Sequence, residues 1–255
     1  LDVQLFERIG RRIFLTEEGK NLLPIADNMV RQAENIKIMF RKPEMMQGTL
    51  RIAASETLSS YWLPPLLKEY QQSYPNVELC ISIGDCSKFP QWLQENIVDI
   101  AFSQQHETAL PQIHQTALFS WEAVFIMSKD HPLSNKKELL LQDFVNQTLL
   151  YPDSEVGYPW ELRDILKQHN IKTHTVLEFG SIESIKQFAK YGLGISILPE
   201  IAVQKEIEAG ELIGIKSKVI NIPITARMMF HKDKWLSPQL AALEKLVLAK
   251  IKLDY

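Results

Sequence analysis

The spacing of apolar positions divides the chain into one long helical stripe followed by shorter segments of strand and helix character. From Thr16 to Arg41, apolar residues recur at Leu22, Ile25, Ala26, Met29, Val30, Ala33, Ile36 and Phe40, the three-and-four spacing of a single helix face. Thr16 suits the N-cap, and Glu17 and Glu18 suit the positive end of the helix dipole. Pro24 should bend this helix or move its start downstream. Pro43 ends it, and Gln47-Gly48 reads as a hinge. The stripe must be buried, either on its own domain or against a second copy.

Beyond the hinge the pattern changes. Leu50–Ala54 and Val77–Ile83 read as strands, with a helical run from Leu58 to Tyr74 between them. A helix over Phe89–Asn96 and a buried strand over Val98–Ser103 follow, then a longer β region from His114 to Met127. A second set has strands near Gln147–Tyr151, Thr175–Phe179 and Ile195–Leu198, and helices near Trp160–His169 and Ile182–Tyr191. Ile222–Phe230 is a further strand, and an amphipathic helix over Pro238–Leu253 closes the pattern. Strand–helix–strand units in this order predict parallel sheets in two α/β halves. Ligands of such sheets sit beyond the carboxyl ends of the strands. Those ends carry Ser55-Glu56-Thr57, Gly84-Asp85, Ser103-Gln104 and, from the second half, Gly180-Ser181. Helix capping alone would also account for Ser, Thr and Asp at these places.

Composition narrows the class. The 255 residues are 45% hydrophobic, with 28 Lys and Arg against 31 Asp and Glu. That is an ordinary globular balance, with no apolar run long enough to cross a membrane. Cys80 and Cys86 are too few for a disulfide framework, and no secretory segment is visible at the start, so the cytoplasm is expected. Residues 1–47 carry a net charge of +1 and the rest −4. Arg8, Arg11 and Arg12 crowd around Gly10, a turn that could lie along a phosphate backbone or simply be solvated. The six histidines are scattered, and Gly192-Leu193-Gly194 follows a helix instead of opening one. Neither a metal site nor a catalytic motif is indicated, and no enzyme is expected.

Six motifs in register then resemble the LysR-type transcriptional regulators. They begin with Leu1-Asp2-Val3-Gln4-Leu5-Phe6-Glu7-Arg8 and Leu15-Thr16-Glu17-Glu18-Gly19, where Asp2 replaces the usual Gly. Gly48-Thr49-Leu50-Arg51-Ile52, Leu63-Pro64-Pro65-Leu66-Leu67 with Tyr74-Pro75, and Asp99-Ile100-Ala101 continue the match. Lys129-Asp130-His131-Pro132-Leu133 and Gly192–Pro199 complete it. The resemblance implies the wing of a winged helix-turn-helix over residues 1–15, with the recognition helix ahead of Leu1. It implies a linker and dimerisation helix with its hinge over 16–47, and an effector-binding domain over 48–255. That domain would be α/β, two Rossmann-like subdomains like those of periplasmic binding proteins, about 48–122 with 224–255 and about 123–223.

Family contacts then fall on Ser55, Glu56, Thr57, Asp85, Ser103, Gln104, Tyr158, Ser181 and Ile182 for a small-molecule effector, and on Arg8, Arg11, Arg12 and Thr16 for DNA. Some relatives carry Cys-x-Tyr-Arg near Gly157-Tyr158; the Arg is absent here. No Lys or Arg occupies the mapped positions, and Glu56 and Asp85 would repel an anion. A neutral, zwitterionic or cationic co-inducer is therefore expected, with no other cofactor and no metal. The expected partners are promoter DNA and a second copy through the linker helix, with a tetramer built from such dimers and no membrane. A stand-alone solute-binding protein, or a small-ligand enzyme on the same cleft fold, is the alternative.

Overall fold

The computed structural model describes residues 3–10, 12–38, 46–104, 110–153, 158–217, 220 and 222–254. Strands β1 (Phe6–Ile9) and β2 (Arg12–Leu15) pair antiparallel as a hairpin, Phe6 opposite Leu15 and Ile9 opposite Arg12. Helix α1 follows over Glu17–Ile38, and residues 39–45, where the helix is expected to finish, lie outside the described residues. Thr16 caps it: the Gly19 N–H donates to its hydroxyl at 3.0 Å, and that hydroxyl donates to the Gln4 carbonyl at 2.6 Å. A side chain at position 19 would meet the Leu5 carbonyl oxygen at 2.1 Å, so only glycine lets the hairpin lie this close to the helix. Pro24 neither stops the helix nor delays its start; the proline costs the one backbone bond its missing N–H would make to Lys20.

Two five-stranded sheets follow. The first lobe contains β3 (Gly48–Ala54), α2 (Leu63–Ser73), β4 (Val77–Ile83), α3 (Phe89–Gln94), β5 (Ile100–Ser103) and β6 (Ile113–Trp121). The second contains β7 (Ala123–Met127), β8 (Thr148–Pro152), α4 (Tyr158–Gln168), β9 (Thr175–Phe179), α5 (Ile182–Lys190), β10 (Ile195–Pro199), α6 (Glu200–Glu208) and β11 (Ile213–Ile215). The chain then returns to the first lobe in β12 (Ile224–His231) and α7 (Pro238–Asp254). The strand orders are β4-β3-β5-β12-β6 and β11-β7-β10-β8-β9.

Neither sheet is fully parallel, which corrects the expectation from strand–helix alternation. β12 runs antiparallel to β5 and β6, and β7 runs antiparallel to β10 and β11. These two are the strands that enter each lobe from the other. A chain crossing at the cleft must run away from it, against strands whose carboxyl ends face it. The long β region read as one segment is thus two strands, β6 and β7, separated by Glu122 alone.

Alternation along β3 sorts its side chains between two layers. Leu50, Ile52 and Ala54 pack with Leu66 and Tyr70 of α2 and Leu240 and Val247 of α7, while Ala53 packs with Phe89 and Leu93 of α3. In the second lobe, Val124, Ile126, Leu150 and Leu198 meet Ile182, Ile185 and Ala189 of α5. Phe125, Leu149 and Ile197 face Leu162 of α4 from the opposite layer.

The linker joins the first lobe at Gly48, whose φ of 121° is closed to other residues. Immediately beyond it, Arg51 makes a two-pronged contact with Asp99, Nε to Oδ2 at 3.1 Å and Nη2 to Oδ1 at 2.7 Å. Lys234 reaches the same Oδ1 at 2.6 Å. Burial alone would push the Asp99 carboxyl up, but Arg51 and Lys234 outweigh it and hold it below the usual aspartate value. This network ties β3, β5 and the turn after β12 together where the linker arrives. Asp99→Asn is expected to cost about 3 kcal/mol in urea unfolding, because two cations lose a partly buried partner. A depressed carboxyl stabilises above its unfolded value of about 3.9 and loses that contribution as pH falls through the lower folded value. Stability of the wild type should therefore decline in that acid range by more than that of Asp99→Asn.

Candidate functional site

The carboxyl ends of β3, β4 and β5 converge on one side of the first lobe. The Ser55 N–H donates to the Phe102 carbonyl at 3.1 Å, and the Gly84 N–H to that of Ala54 at 3.3 Å. Ser55, Thr57, Ser103 and Gln104 are all buried there. The Ser55 hydroxyl donates to Gln104 Oε1 at 3.1 Å, and the Gln104 Nε2, shut off from solvent, has no hydrogen-bond partner among the described residues. A buried amide donor without an acceptor is costly and calls for an account. The Cys86 thiol completes this floor, lying against the Ser103 side chain and the Gln104 backbone.

Helix α5 of the second lobe meets this floor through Glu56. Its two carboxylate oxygens accept from the Ser181 hydroxyl at 3.0 Å and the Ile182 N–H at 2.9 Å. Ser181 stands at the N-cap of α5, but its side chain makes no capping bond to its own helix. The free N–H at this end is met by a carboxylate from the other lobe, 126 residues away in sequence. One turn on, Lys186 is only 3% exposed; it pairs with Glu206 at 2.7 Å and Glu183 at 2.8 Å, and donates to the Tyr61 hydroxyl at 3.1 Å. Burial opposes its charge, yet these three groups raise its pKa well above the ordinary lysine value. Tyr61 comes from the first lobe and packs against the apolar cluster of the second.

Glu56 and Tyr61 can address the same helix because the chain between them winds widely. Residues Leu58–Trp62 form a π-helical turn, with the Leu63 N–H bonding the Leu58 carbonyl. In an i→i+5 turn, residues five apart lie closer to one face than in an α-helix.

The other expected contacts divide. Asp85 is spent on its own turn, accepting from the Ser87 N–H at 3.0 Å, which is capping. Tyr158 opens α4, and residues 154–157 beside it lie outside the described residues. Tyr61, Lys186 and Cys86 were not among the site residues expected from the sequence. Lys186 had a visible signal, since it follows Ile182 by four residues on the stripe that Ile185 and Ala189 extend. Of the DNA-contact set, Arg8 Nε donates to the Gly10 carbonyl at 3.2 Å, and Thr16 joins hairpin to helix as described. Arg12 lies in β2, and Arg11 is outside the described residues.

A cavity of about 570 Å³ lies elsewhere, between α1 and the amino ends of β3 and β5, lined by Asp27, Val30, Arg51, Asp99, Lys234 and Trp235 among others. Arg51, Asp99 and Lys234 are already joined to one another there. The converging strand ends, with an unmatched donor, make the better ligand site. Among the described residues no cluster of three or more His, Cys, Asp and Glu could hold a metal ion, and no helix is long and apolar enough to cross a membrane.

The family model described as the LysR substrate binding domain matches residues 43–252. The chain is 34% identical over 240 residues to the uncharacterized HTH-type transcriptional regulator YwqM of Bacillus subtilis, covering 93% of this chain and 81% of that protein. It is 29% identical over 238 residues to the HTH-type transcriptional activator CmpR of Synechocystis, covering 93% and 78%. Among solved structures, the regulatory domain of Synechocystis CcmR in complex with 2-PG superposes with a TM-score of 0.73 at 24% identity, over 81% of this chain and 98% of that one. A full-length OxyR from Pseudomonas aeruginosa gives 0.72 at 22% identity, over 98% and 80%. At these identities the structural likeness speaks for the fold.

The environment of the two cysteines yields a direct check of the site's packing. Cys80 is exposed on β4 and Cys86 is half-buried; burial of its thiol pushes the pKa up, a rise that its contacts with Ser103 and Gln104 only partly offset. Iodoacetamide at neutral pH, followed by peptide mass spectrometry, should modify Cys80 readily and leave Cys86 largely intact until the protein is unfolded. Equal labelling of both in the folded chain would mean that the floor is open.

Proposed function

Because the chain belongs to the LysR family of transcriptional regulators, we propose that its two lobes sense a small effector and pass its presence to the arm formed by the hairpin and α1. The named relatives are transcriptional regulators, which supports the sensor reading over the solute-receptor and enzyme alternatives. The observation that carries the sensor reading is the buried, unmatched Gln104 Nε2 at the junction of three strand ends. Ser55, Thr57 and Ser103 line the same floor, and Ser181 and Ile182 close it from the other lobe. Such a ring recognises polar groups and lacks a nucleophile paired with a base. A neutral, zwitterionic or cationic co-inducer fits the absence of cations among these residues.

The same reading extends to the arm. Arg8 and Arg12 of the hairpin, with Arg11 between them in sequence, would contact DNA phosphates as a wing, with Thr16 and Gly19 fixing the hairpin on α1. The apolar stripe of α1 is largely uncovered in the single chain: Ile25 is 58% and Met29 67% exposed. That uncovered stripe supports dimerisation through α1, and tetramers could build from such dimers. Promoter DNA as the partner places the protein in the cytoplasm.

Two experiments test this. A thermal-shift screen of amino acids, amines and organic acids should yield a compound that stabilises the wild type. That shift should vanish in a Ser55→Ala/Gln104→Leu variant that still folds, because the ligand's polar groups lose their partners. A shift of equal size in the variant would move the site elsewhere. For the arm, Ile25→Glu/Met29→Glu should turn dimers into monomers by light scattering, since each apolar group buried between helices contributes roughly 1.5–3 kcal/mol. Unchanged oligomers would exclude α1 as the interface.

A further inference from the structure

At the start of α5 the second lobe turns a helix N–H toward the cleft floor, and the chain itself fills that place. Helix N-termini attract anions through unpaired N–H groups and the helix dipole. Here Ile182 N–H and the Ser181 hydroxyl form a two-donor seat, and both donors are taken by one carboxylate, Glu56, at 2.9 and 3.0 Å. Ser181, which would ordinarily cap its own helix, instead turns its hydroxyl outward to Glu56. Beside this seat, on the floor, Gln104 is 9% exposed, and its Nε2 lacks an acceptor among the described residues. Gln104 is held through Ser55, the residue next to Glu56. The cleft thus has one donor site filled from within and one left for a ligand.

We propose that Glu56 is a built-in carboxylate that occupies the anion seat of the second lobe and thereby sets the class of effector. Carboxylate-bearing compounds are refused at the helix end, because they would have to displace a tethered carboxylate and lie beside its charge. The effector is a neutral or cationic molecule that supplies a hydrogen-bond acceptor, a carbonyl or hydroxyl oxygen, to Gln104 Nε2. The neighbouring Lys186 does not reverse this preference, since Glu183 and Glu206 already compensate its charge. This inference rests on the sensor reading of the cleft, but its test concerns the seat alone and needs no knowledge of the natural effector.

The test uses acetate and acetamide, which share a shape and differ in charge. In the full chain carrying Glu56→Ala, acetate should raise the melting temperature in a saturable manner at matched ionic strength, whereas any response to acetamide, a neutral carbonyl compound that Gln104 can take, should be the same with and without Glu56. Wild type should not respond to acetate. Separately, in a titration of wild type followed by amide NMR, the Ile182 N–H resonance should stay in place as acetate is added. It should move in Glu56→Ala. Should Glu56→Ala fail to fold, the wild-type titration still decides: a saturable shift of Ile182 with acetate means that the seat is open and overturns the proposal. A folded Glu56→Ala chain indifferent to acetate overturns it equally. Failure to find an effector in the broader screen would count against the sensor reading and leave the acetate result standing.

Discussion

Much of the arrangement depends on a single contact between lobes that are far apart in sequence, the Glu56 carboxylate on the first turn of α5. A helix end turned toward a cleft leaves N–H groups that must find acceptors, and leaving one buried and unmatched costs about 1–3 kcal/mol. The second lobe does not supply its own acceptor, because Ser181 is not a capping residue here. The requirement is met from the first lobe, and it draws other features with it. The π turn after Thr57 brings Tyr61 to the same helix, where it meets Lys186 and the apolar cluster beneath. The lobes thus meet at α5 through polar contacts at Glu56 and Lys186 beside the apolar contact of Tyr61, and water or a ligand can compete for the polar part more readily than for an apolar interface.

The covalent connections between the lobes are narrow by comparison. The chain passes out through Glu122, between β6 and β7, and comes back into β12 at Ile224. The strands that enter each lobe, β7 and β12, run against their neighbours, so each lobe is stitched to the other by a strand next to the middle of its sheet. At the far end of the first lobe, Arg51, Asp99 and Lys234 fix the point where the linker arrives. A change at the cleft and a change at the linker thus act on opposite ends of the same strands, β3 and β5, which gives the sensor reading a mechanical route within one rigid sheet.

How much of this was visible in the sequence depended on the range of the interaction. Strands β3, β4, β8 and β9 were legible because period-two alternation and bounding polar turns are local signals. Ser55, Ser103 and Gln104 were legible as small polar residues at strand ends, and the Thr16 cap as a local pattern before an amphipathic helix. The break at Glu122 was invisible because a single residue carries it, with apolar residues on either side. Helix α6 was missed because it follows Pro199 of β10 directly, without an intervening turn. The contact of Glu56 with α5 was not visible, since its partners lie more than a hundred residues away. Gly48 and Gly19 mark the opposite case, where one residue type announces a backbone requirement before its cause is seen.

Hydrogen exchange at the Ile182 amide tests the central claim most directly, because that proton is the one the inter-lobe carboxylate holds. In the wild-type chain it should be protected well beyond an ordinary first-turn helix amide. In Glu56→Gln, which keeps the size of the side chain and removes its charge, protection should fall at Ile182 while amides further along α5, such as Ala189, change little. Equal protection of Ile182 in both chains would show that the carboxylate does not hold the lobes together, and would contradict the account.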